Sequence, residues 1–210
     1  MIHIQKKNIQ SFDRFYRGNL LNSLSGFKSV SLIGTVNHQK QSNLALFSNI
    51  VHIGADPALI GFINRPRQAS PHTLQNIEST GWYTINHIHP NIIAEAHQTS
   101  AKYKAEISEF EVVGLTPEWK ENILPPFVAE SKVKYALQLR EIIPIQLNNT
   151  FLVIGEIMEI FIEKSLVASD GFLDLSKAGT VTSLGLDAYY RTEKIVRYNY
   201  AMPDVSLMEI

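Results

Sequence analysis

The strongest constraint on the fold of this 210-residue chain is a set of short segments whose apolar residues fall at alternate positions. In the first segment, polar or small residues alternate with Val30, Leu32, Gly34 and Val36. Successive side chains of a β-strand point to opposite faces, so this spacing predicts a strand that begins near Lys28.

Similar segments recur along the chain and predict further strands over residues 44–52, 58–63, 82–88, 132–147 and 150–164. We expect the strand over 44–52 to pair with the first strand. In the last segment the apolar pattern changes phase around Gly155, which predicts a bulge or a barrel corner. Helical spacing is confined to residues 11–24, 71–79 and 91–98. Ser11 and Ser70 are the predicted N-caps of the first two helices, and Gly81 closes the second.

Many strands, few helices and no regular alternation of strand and helix indicate a mainly β protein with α decorations. No internal repeat and no Pro-, Gly- or Ser-rich linker divides the chain, so we predict a single β-barrel domain. Because 45% of the residues are hydrophobic, the chain can bury a substantial core and is not disordered.

Charge and cysteine content exclude several classes of function. Nineteen basic residues against 20 acidic ones give a net charge of −1, without the basic excess typical of nucleic-acid binding. The absence of cysteine excludes disulfides, Cys-ligated metal sites and thiol nucleophiles. The start of the chain has no signal-peptide pattern, and Glu156 and Glu159 interrupt the longest apolar run. We therefore expect a soluble, cytoplasmic protein with no membrane or nucleic-acid partner.

Residues 64–77 contain the clearest candidate for a binding site. Ser70 precedes the predicted helix and Thr73 falls in its first turn. The start of a helix presents unpaired N–H groups and a partial positive charge, which suit an anion. Arg65 and Arg67 lie just upstream, within reach of the same anion. We predict a phosphate site here; the alternative is two solvated arginines beside a plain N-cap.

A second candidate is the segment 41–49, on or beside a predicted strand. Asn43, Ser48 and Asn49 offer amide and hydroxyl groups there. Such groups can serve one edge of a planar, heteroatom-rich ligand. The alternative, which spacing alone favours, is a set of turn residues beside an edge strand.

The remaining chemistry-bearing residues give weaker signals. His87, His89 and His97 have spacing that a metal could use, but no carboxylate motif completes the set, so ordinary surface histidines are the favoured interpretation. The acidic pair Glu106 and Glu109 is interpreted as a solvated face. The motifs G-x-S-x-G, G-x-G-x-x-G and G-K-[ST] do not occur. A bound organic cofactor is then the more economical source of reactivity.

The order of these segments resembles the flavin reductase-like family, which includes the flavoredoxin-like flavoproteins. The matching residues of the first part are Asn43, Ala45, Ser48, Asp56, Pro57, Thr73, Asn76, Ile77 and Asn86. Later matches, in the family's order, are Glu109 with Phe110, Gly114 with Leu115, Glu130 with Ser131, and Leu184 with Gly185 followed by Tyr189 or Tyr190. The resemblance covers roughly residues 25 to 195.

The resemblance implies an FMN-binding split β-barrel, a Greek-key barrel, that forms a homodimer with its flavin near the subunit interface. Residues 1–26 would be a helical extension, 27–195 the barrel and 196–210 a tail. It also implies that the flavin ring and ribityl chain contact Asn43, Ala45, Ser48 and Asn49. The phosphate would be held by Arg65, Arg67, Ser70 and Thr73, with Lys102 as a further candidate.

Three functions agree with this sequence. The first is a flavin reductase-type oxidoreductase in which bound FMN accepts hydride from NAD(P)H and passes electrons to free flavin, oxygen or a protein. The second is a non-catalytic flavin-binding protein, an electron carrier or FMN store. The third is a relative of the same barrel that binds haem through His72, His87 or His97.

Overall fold

The computed structural model describes residues 1–69 and 71–210 and confirms a mainly β chain with a few short helices. The strands are β1 (Lys28–Ser29), β2 (Ser31–Val36), β3 (Ser42–Phe47), β4 (Ile50–Ala55), β5 (Ala58–Asn64), β6 (Trp82–His87), β7 (Pro117–Lys120), β8 (Ile123–Val128), β9 (Val133–Ile145), β10 (Thr150–Ile162), β11 (Val181–Leu184) and β12 (Ala188–Arg191). The α-helices are α1 (Lys6–Ser11), α2 (Arg14–Leu24), α3 (Pro71–Thr80), α4 (Ile93–Gln98), α5 (Glu109–Val113) and α6 (Leu175–Ala178). Single 3₁₀ turns lie at Pro90–Ile92 and Lys164–Leu166.

Seven strands form one antiparallel sheet in the order β3-β2-β6-β9-β10-β5-β4, so β3 lies at one edge and β4 at the other. Strands β1, β11 and β12 form a second sheet, and β7 pairs with β8 in a third. Strand β8 is tied to the main sheet by side chains of β6. The Thr84 hydroxyl donates to the carbonyl of Pro126, and the Asn86 side chain accepts from the N–H of Val128.

The core lies on both faces of the main sheet. All six residues of β2 are buried, with Leu32 in one apolar cluster and Ile33 in another. The alternating pattern therefore predicted the strand correctly, although its polar positions are buried as well. Helix α3 covers one face and inserts Leu74 and Ile77 into the cluster that contains Ile33.

The bulge predicted at Gly155 is confirmed. The pairing of β10 with β9 shifts register between Ile154 and Gly155. A Cβ atom at Gly155 would overlap the hydroxyl of Tyr83, a fully buried residue of β6, which β9 separates from β10 in the sheet. The change of phase in the apolar pattern thus marks the position where the Tyr83 side chain packs directly against the backbone of β10.

Two sequence predictions are wrong in detail. The helix expected over residues 11–24 with Ser11 as its N-cap begins instead at Arg14, as α2, because Asp13 caps it by accepting the N–H groups of Phe15 and Tyr16 at 2.8 and 3.3 Å. A carboxylate that accepts two free N–H groups satisfies the start of a helix, and Ser11 instead ends α1. The strand expected over 44–52 is divided into β3 and β4. The predicted cap Ser70 lies outside the described residues.

The predicted helix 71–79 is confirmed as α3, and Gly81 follows it with a positive φ of 73°. The N–H of Gly81 donates to the carbonyl of Ile77 at 2.8 Å, which closes the last turn. In the part of the chain that the structure describes, no helix combines the length and the apolar character that a membrane crossing needs.

Candidate functional site

A cleft of about 390 Å³ opens beside the edge strand β3. Its walls come from five places in the chain: β3 with the turn that follows it, the end of β5 with its loop, the first turn of α3, the loop after α4 and the first residue of α5. The volume falls in the range of about 300–1,000 Å³ typical of small-molecule sites. The predicted residues that it brings together are Asn43, Ala45, Ser48, Asn49, Arg65, Thr73 and Lys102.

Buried hydrogen bonds fix the side of the cleft where β3 meets α3. The Asn43 amide donates to the hydroxyls of Thr35 and Thr73, at 3.2 and 3.1 Å. The Asn76 amide donates to the same Thr35 hydroxyl at 3.1 Å. Because all four side chains are buried, these bonds join β2, β3 and α3 in a rigid arrangement. Asn43 and Thr73 therefore line the cleft in fixed positions.

The turn between β3 and β4 places Ser48 and Asn49 at the cleft. The side-chain oxygen of Asn49 accepts the N–H of Ile63 at 3.3 Å, so this turn is bonded to β5. Both residues bring polar groups to a wall that is otherwise formed by Ala45, Leu46 and Phe47. This combination of apolar surface and a few fixed polar groups is typical of organic-ligand sites.

Positive charge enters the cleft from two separate loops. Arg65 follows β5, and Lys102 belongs to the loop after α4. The first turn of α3, with Pro71, His72 and Thr73, also lines the cleft. The first N–H groups of a helix have no partners within the helix, so they add to the attraction for an anion. The chemistry of this donor set fits a phosphate group.

Arg67, which the sequence placed in the same anion site, does not line the cleft in the described structure. Its guanidinium forms two hydrogen bonds to the carboxylate of Glu78 on α3, at 2.5 and 2.7 Å. It also lies over the ring of Phe151, 4.9 Å from the centroid. The ion pair raises the pKa of Arg67 and lowers that of Glu78. These contacts hold Arg67 to α3 and β10, so Arg65 alone of the two arginines reaches the cleft.

The loop that carries Lys102 is held by contacts at the end of α4. The N–H of Thr99 donates to carbonyls of the last helical turn, and its hydroxyl donates to Ala96 at 2.8 Å. The Gln98 amide donates to the Tyr103 hydroxyl at 2.8 Å. His97 is 2.8 Å from the hydroxyl of Tyr189 on β12. These bonds give Lys102 a defined approach to the cleft.

The comparison with known proteins identifies the family. The family model for the flavin reductase like domain matches residues 25–174, which include every element that lines the cleft. This chain belongs to the flavin reductase-like family.

Solved structures agree with the family assignment. A split-barrel protein from Shewanella frigidimarina NCIMB 400, named as a candidate flavin reductase, is 45% identical, with a TM-score of 0.92, over 96% of this chain and 100% of that one. Nitrilotriacetate monooxygenase component B from Bacillus cereus is 20% identical, with a TM-score of 0.82 and coverages of 94% and 98%. Flavoredoxin of Desulfovibrio vulgaris (Miyazaki F) is 22% identical, with a TM-score of 0.71 and coverages of 82% and 90%. The last two show the likeness of fold, which is that of a split barrel.

Within this flavin reductase-like domain, sequence reasoning missed the position of Glu109. The prediction of a solvated face is wrong for this residue, which is only 5% exposed and lines the cleft. Its Oε2 atom accepts the N–H of Leu44 at 2.9 Å. Burial raises the pKa of Glu109, while the Leu44 N–H and the nearby His72 act in the opposite direction. The signal available in the sequence was its place in the family-like pair with Phe110.

The histidines of the domain have separate partners. The partly buried His87 ring has its Nδ1 atom 3.4 Å from the Thr180 hydroxyl, and desolvation lowers its pKa to about 4. The Nε2 atom of His89 is 3.0 Å from the carbonyl of Glu130. Across residues 1–69 and 71–210, no group of three or more His, Asp or Glu side chains could hold a metal ion.

Proposed function

We propose that this flavin reductase-like protein binds FMN in the cleft beside β3 and works as an NAD(P)H-dependent oxidoreductase of the flavin reductase type. The observation that carries the proposal is the meeting, in one cleft, of an edge strand with fixed polar groups and a positively charged helix start. The first part suits a flat heteroaromatic ring, and the second suits a phosphate. FMN is a ligand that has both.

The phosphate of FMN would be held by Arg65, Lys102 and Thr73. The two cations would offset the charge of a phosphate dianion, and the Thr73 hydroxyl, in the first turn of α3, would donate a hydrogen bond to it. Because Arg65 and Lys102 come from different loops, both must be in place for full affinity. Arg67 has no part in this proposal, since it is bonded to Glu78.

The ring and ribityl chain would lie against Asn43, Ala45, Ser48 and Asn49. The small side chain of Ala45 leaves the surface of β3 open to a flat ring. The bonds of Asn43 to Thr35 and Thr73 orient its amide before any ligand arrives, which lowers the entropic cost of binding. Ser48 and Asn49 supply polar groups from the turn.

FMN, when bound, would supply the capacity to accept a hydride from NAD(P)H and release electrons to free flavin, oxygen or a protein. The chain's own part is to bind, orient and surround the cofactor. The domain is not expected to need a side-chain acid or base, and we assign it none.

We also propose that the protein is a homodimer with the flavin near the subunit interface. Several large apolar side chains are highly exposed at the two ends of the chain, including Phe15, Leu24, Ile195 and Tyr200. Such surfaces are typical of sites of association. In this proposal residues 1–26 and 196–210 flank a barrel over 27–195. Light scattering with in-line chromatography measures the mass, and a monomer at micromolar concentration would contradict the dimer.

The experiment that tests the function is a titration of the purified protein with FMN, followed by anaerobic addition of NADH and, separately, NADPH. Binding should quench flavin fluorescence and sharpen the visible flavin bands, and the donor should then bleach them. Flavin bands that form but persist with both nucleotides would favour the alternative function, a flavin carrier. Absence of FMN binding would refute the cofactor assignment, and a haem Soret band in its place would support the third possibility.

A further inference from the structure

Strand β3 has an outer edge that β2 does not cover. In the order of the main sheet β3 comes first, and its register pairs Leu44 with Gly34 and Leu46 with Leu32. The N–H of Leu44 donates away from β2, to Glu109. Backbone groups of alternate residues share one edge of a strand, so the N–H and carbonyl of Leu46 face the same way. Leu46 lines the cleft, and its peptide groups are therefore available to a ligand there.

The Leu44 N–H donates to a buried carboxyl group, and burying such a group costs free energy. A buried carboxylate loses its hydration, and burial raises the pKa of Glu109. Among the described residues, no lysine, arginine or histidine lies within ion-pair distance of it. What the side chain supplies is an acceptor oxygen for the buried N–H of Leu44, which would otherwise lack this partner. The hydrogen bond, rather than the charge, is thus what Glu109 contributes to the strand edge.

A second contact fixes the same junction. The hydroxyl of Ser108 is 2.8 Å from that of Ser42, two residues before Leu44. Phe110, next to Glu109, packs in the same apolar cluster as Leu44. The start of α5 is therefore attached to β3 on both sides of Glu109, which holds the backbone of Glu109 beside the strand.

We propose that Glu109 is a positioning residue of the flavin cleft. Its carboxylate fixes the outer edge of β3 through the Leu44 N–H, and this bond sets the position of the Leu46 peptide groups that a bound flavin would meet. The inference rests on the proposed function, because it assigns Glu109 a role toward the same ligand. It assigns no proton transfer to Glu109.

The test compares three substitutions at this position in the full-length protein. Glu109→Ala removes the acceptor and should raise the Kd for FMN about tenfold or more. Glu109→Gln keeps an amide oxygen at the same reach and should recover most of that loss. Glu109→Asp keeps the charge but is one methylene shorter, so it should bind FMN less well than Glu109→Gln. Hydrogen exchange of the peptide 42–47, measured without FMN, should follow the same order, fastest in the Ala variant.

Glu111→Ala is the matched control, since Glu111 is an exposed acid on the same helix. It should leave both the Kd and the exchange of β3 unchanged. If Glu109→Ala does not fold, the Gln and Asp variants still decide between the bond and the charge. Tighter FMN binding by Asp than by Gln would overturn the proposal, as would a lowered melting temperature with an unchanged Kd in all three variants.

The two proposals fail in different ways. A wild-type protein that binds no FMN refutes the proposed function and removes this role with it. A wild-type protein that binds FMN, with all three variants matching it in Kd and in exchange, overturns the role of Glu109 alone.

Discussion

The amide of Asn43 and the hydroxyl of Thr73 form a buried hydrogen bond of 3.1 Å, although the two residues are 30 positions apart in the chain. Asn43 belongs to the edge strand β3 and Thr73 to the first turn of α3. The bond therefore connects the part of the cleft suited to a flat ring with the part suited to a phosphate. It makes one ligand site out of two segments that the sequence presents separately.

Asn43→Ala should weaken both the fold and the site. It removes the amide that donates to the buried Thr73 hydroxyl, while Thr35 keeps the Asn76 amide as a donor, and the loss costs about 1–3 kcal/mol of unfolding free energy. The Kd for FMN should rise in parallel. Urea unfolding and FMN titration measure the two effects. Asn19→Ala, at an exposed position of α2, is the control and should change stability by less than about 0.5 kcal/mol.

Arg65→Ala should weaken FMN binding without affecting stability, whereas Arg67→Ala should lower stability without affecting FMN binding. Arg65 lines the cleft, so its loss should raise the Kd for FMN about tenfold or more and leave the melting temperature nearly unchanged. Arg67 pairs with Glu78 on a partly exposed surface, so its loss should cost up to about 1 kcal/mol of stability with the Kd unchanged. Titration and thermal unfolding of both variants distinguish the two roles. Weakened FMN binding by Arg67→Ala alone would contradict the assignment.

Gly155→Ala should destabilise the protein by about 2 kcal/mol or more, because the added methyl group meets the hydroxyl of Tyr83. Tyr83→Phe removes that hydroxyl, so the double variant should recover part of the loss. Denaturant unfolding of the two single variants and the double variant gives the coupling. Gly18→Ala serves as control: nothing lies near its Cβ position in α2, and it should stabilise by about 0.5–1 kcal/mol. Additive effects at 155 and 83 would refute the contact.

His87 should make the protein sensitive to acid. Its pKa falls from 6.5 to about 4 on folding, so the folded state holds the neutral ring and the unfolded state takes up the proton first. Stability is then fully present above pH 6.5 and decreases as the pH falls toward 4, by about 3 kcal/mol in total. His87→Gln should flatten this part of the pH–stability curve, measured by urea unfolding. His52→Gln, at an exposed position, should retain the wild-type slope.

Local rules explain why much of the architecture was predictable. Helix α3 begins and ends where Pro71 and Gly81 place it, because proline suits a first turn and glycine adopts the positive φ that closes the last one. The bulge at Gly155 was predictable because the apolar pattern of the sequence changes phase at that residue. The order of short motifs also sufficed to indicate the flavin reductase-like family.

Other side-chain positions depend on a distant partner that the sequence does not reveal. The sequence treats Arg65 and Arg67 as equivalent, and only the presence of Glu78 and Phe151 beside Arg67 separates them. Glutamate is a residue type that normally lies at the surface. Glu109 is buried because α5 packs against β3.

The sequence by itself determined most strands of the main sheet, helix α3 and the family, because periodicity and turn residues act over a few positions. Only the tertiary structure decided which polar side chains reach the cleft. That choice depends on hydrogen bonds such as the one between Glu109 and Leu44, 65 residues apart. Nothing in local sequence encodes such a bond, since its free energy exists only after both segments have packed.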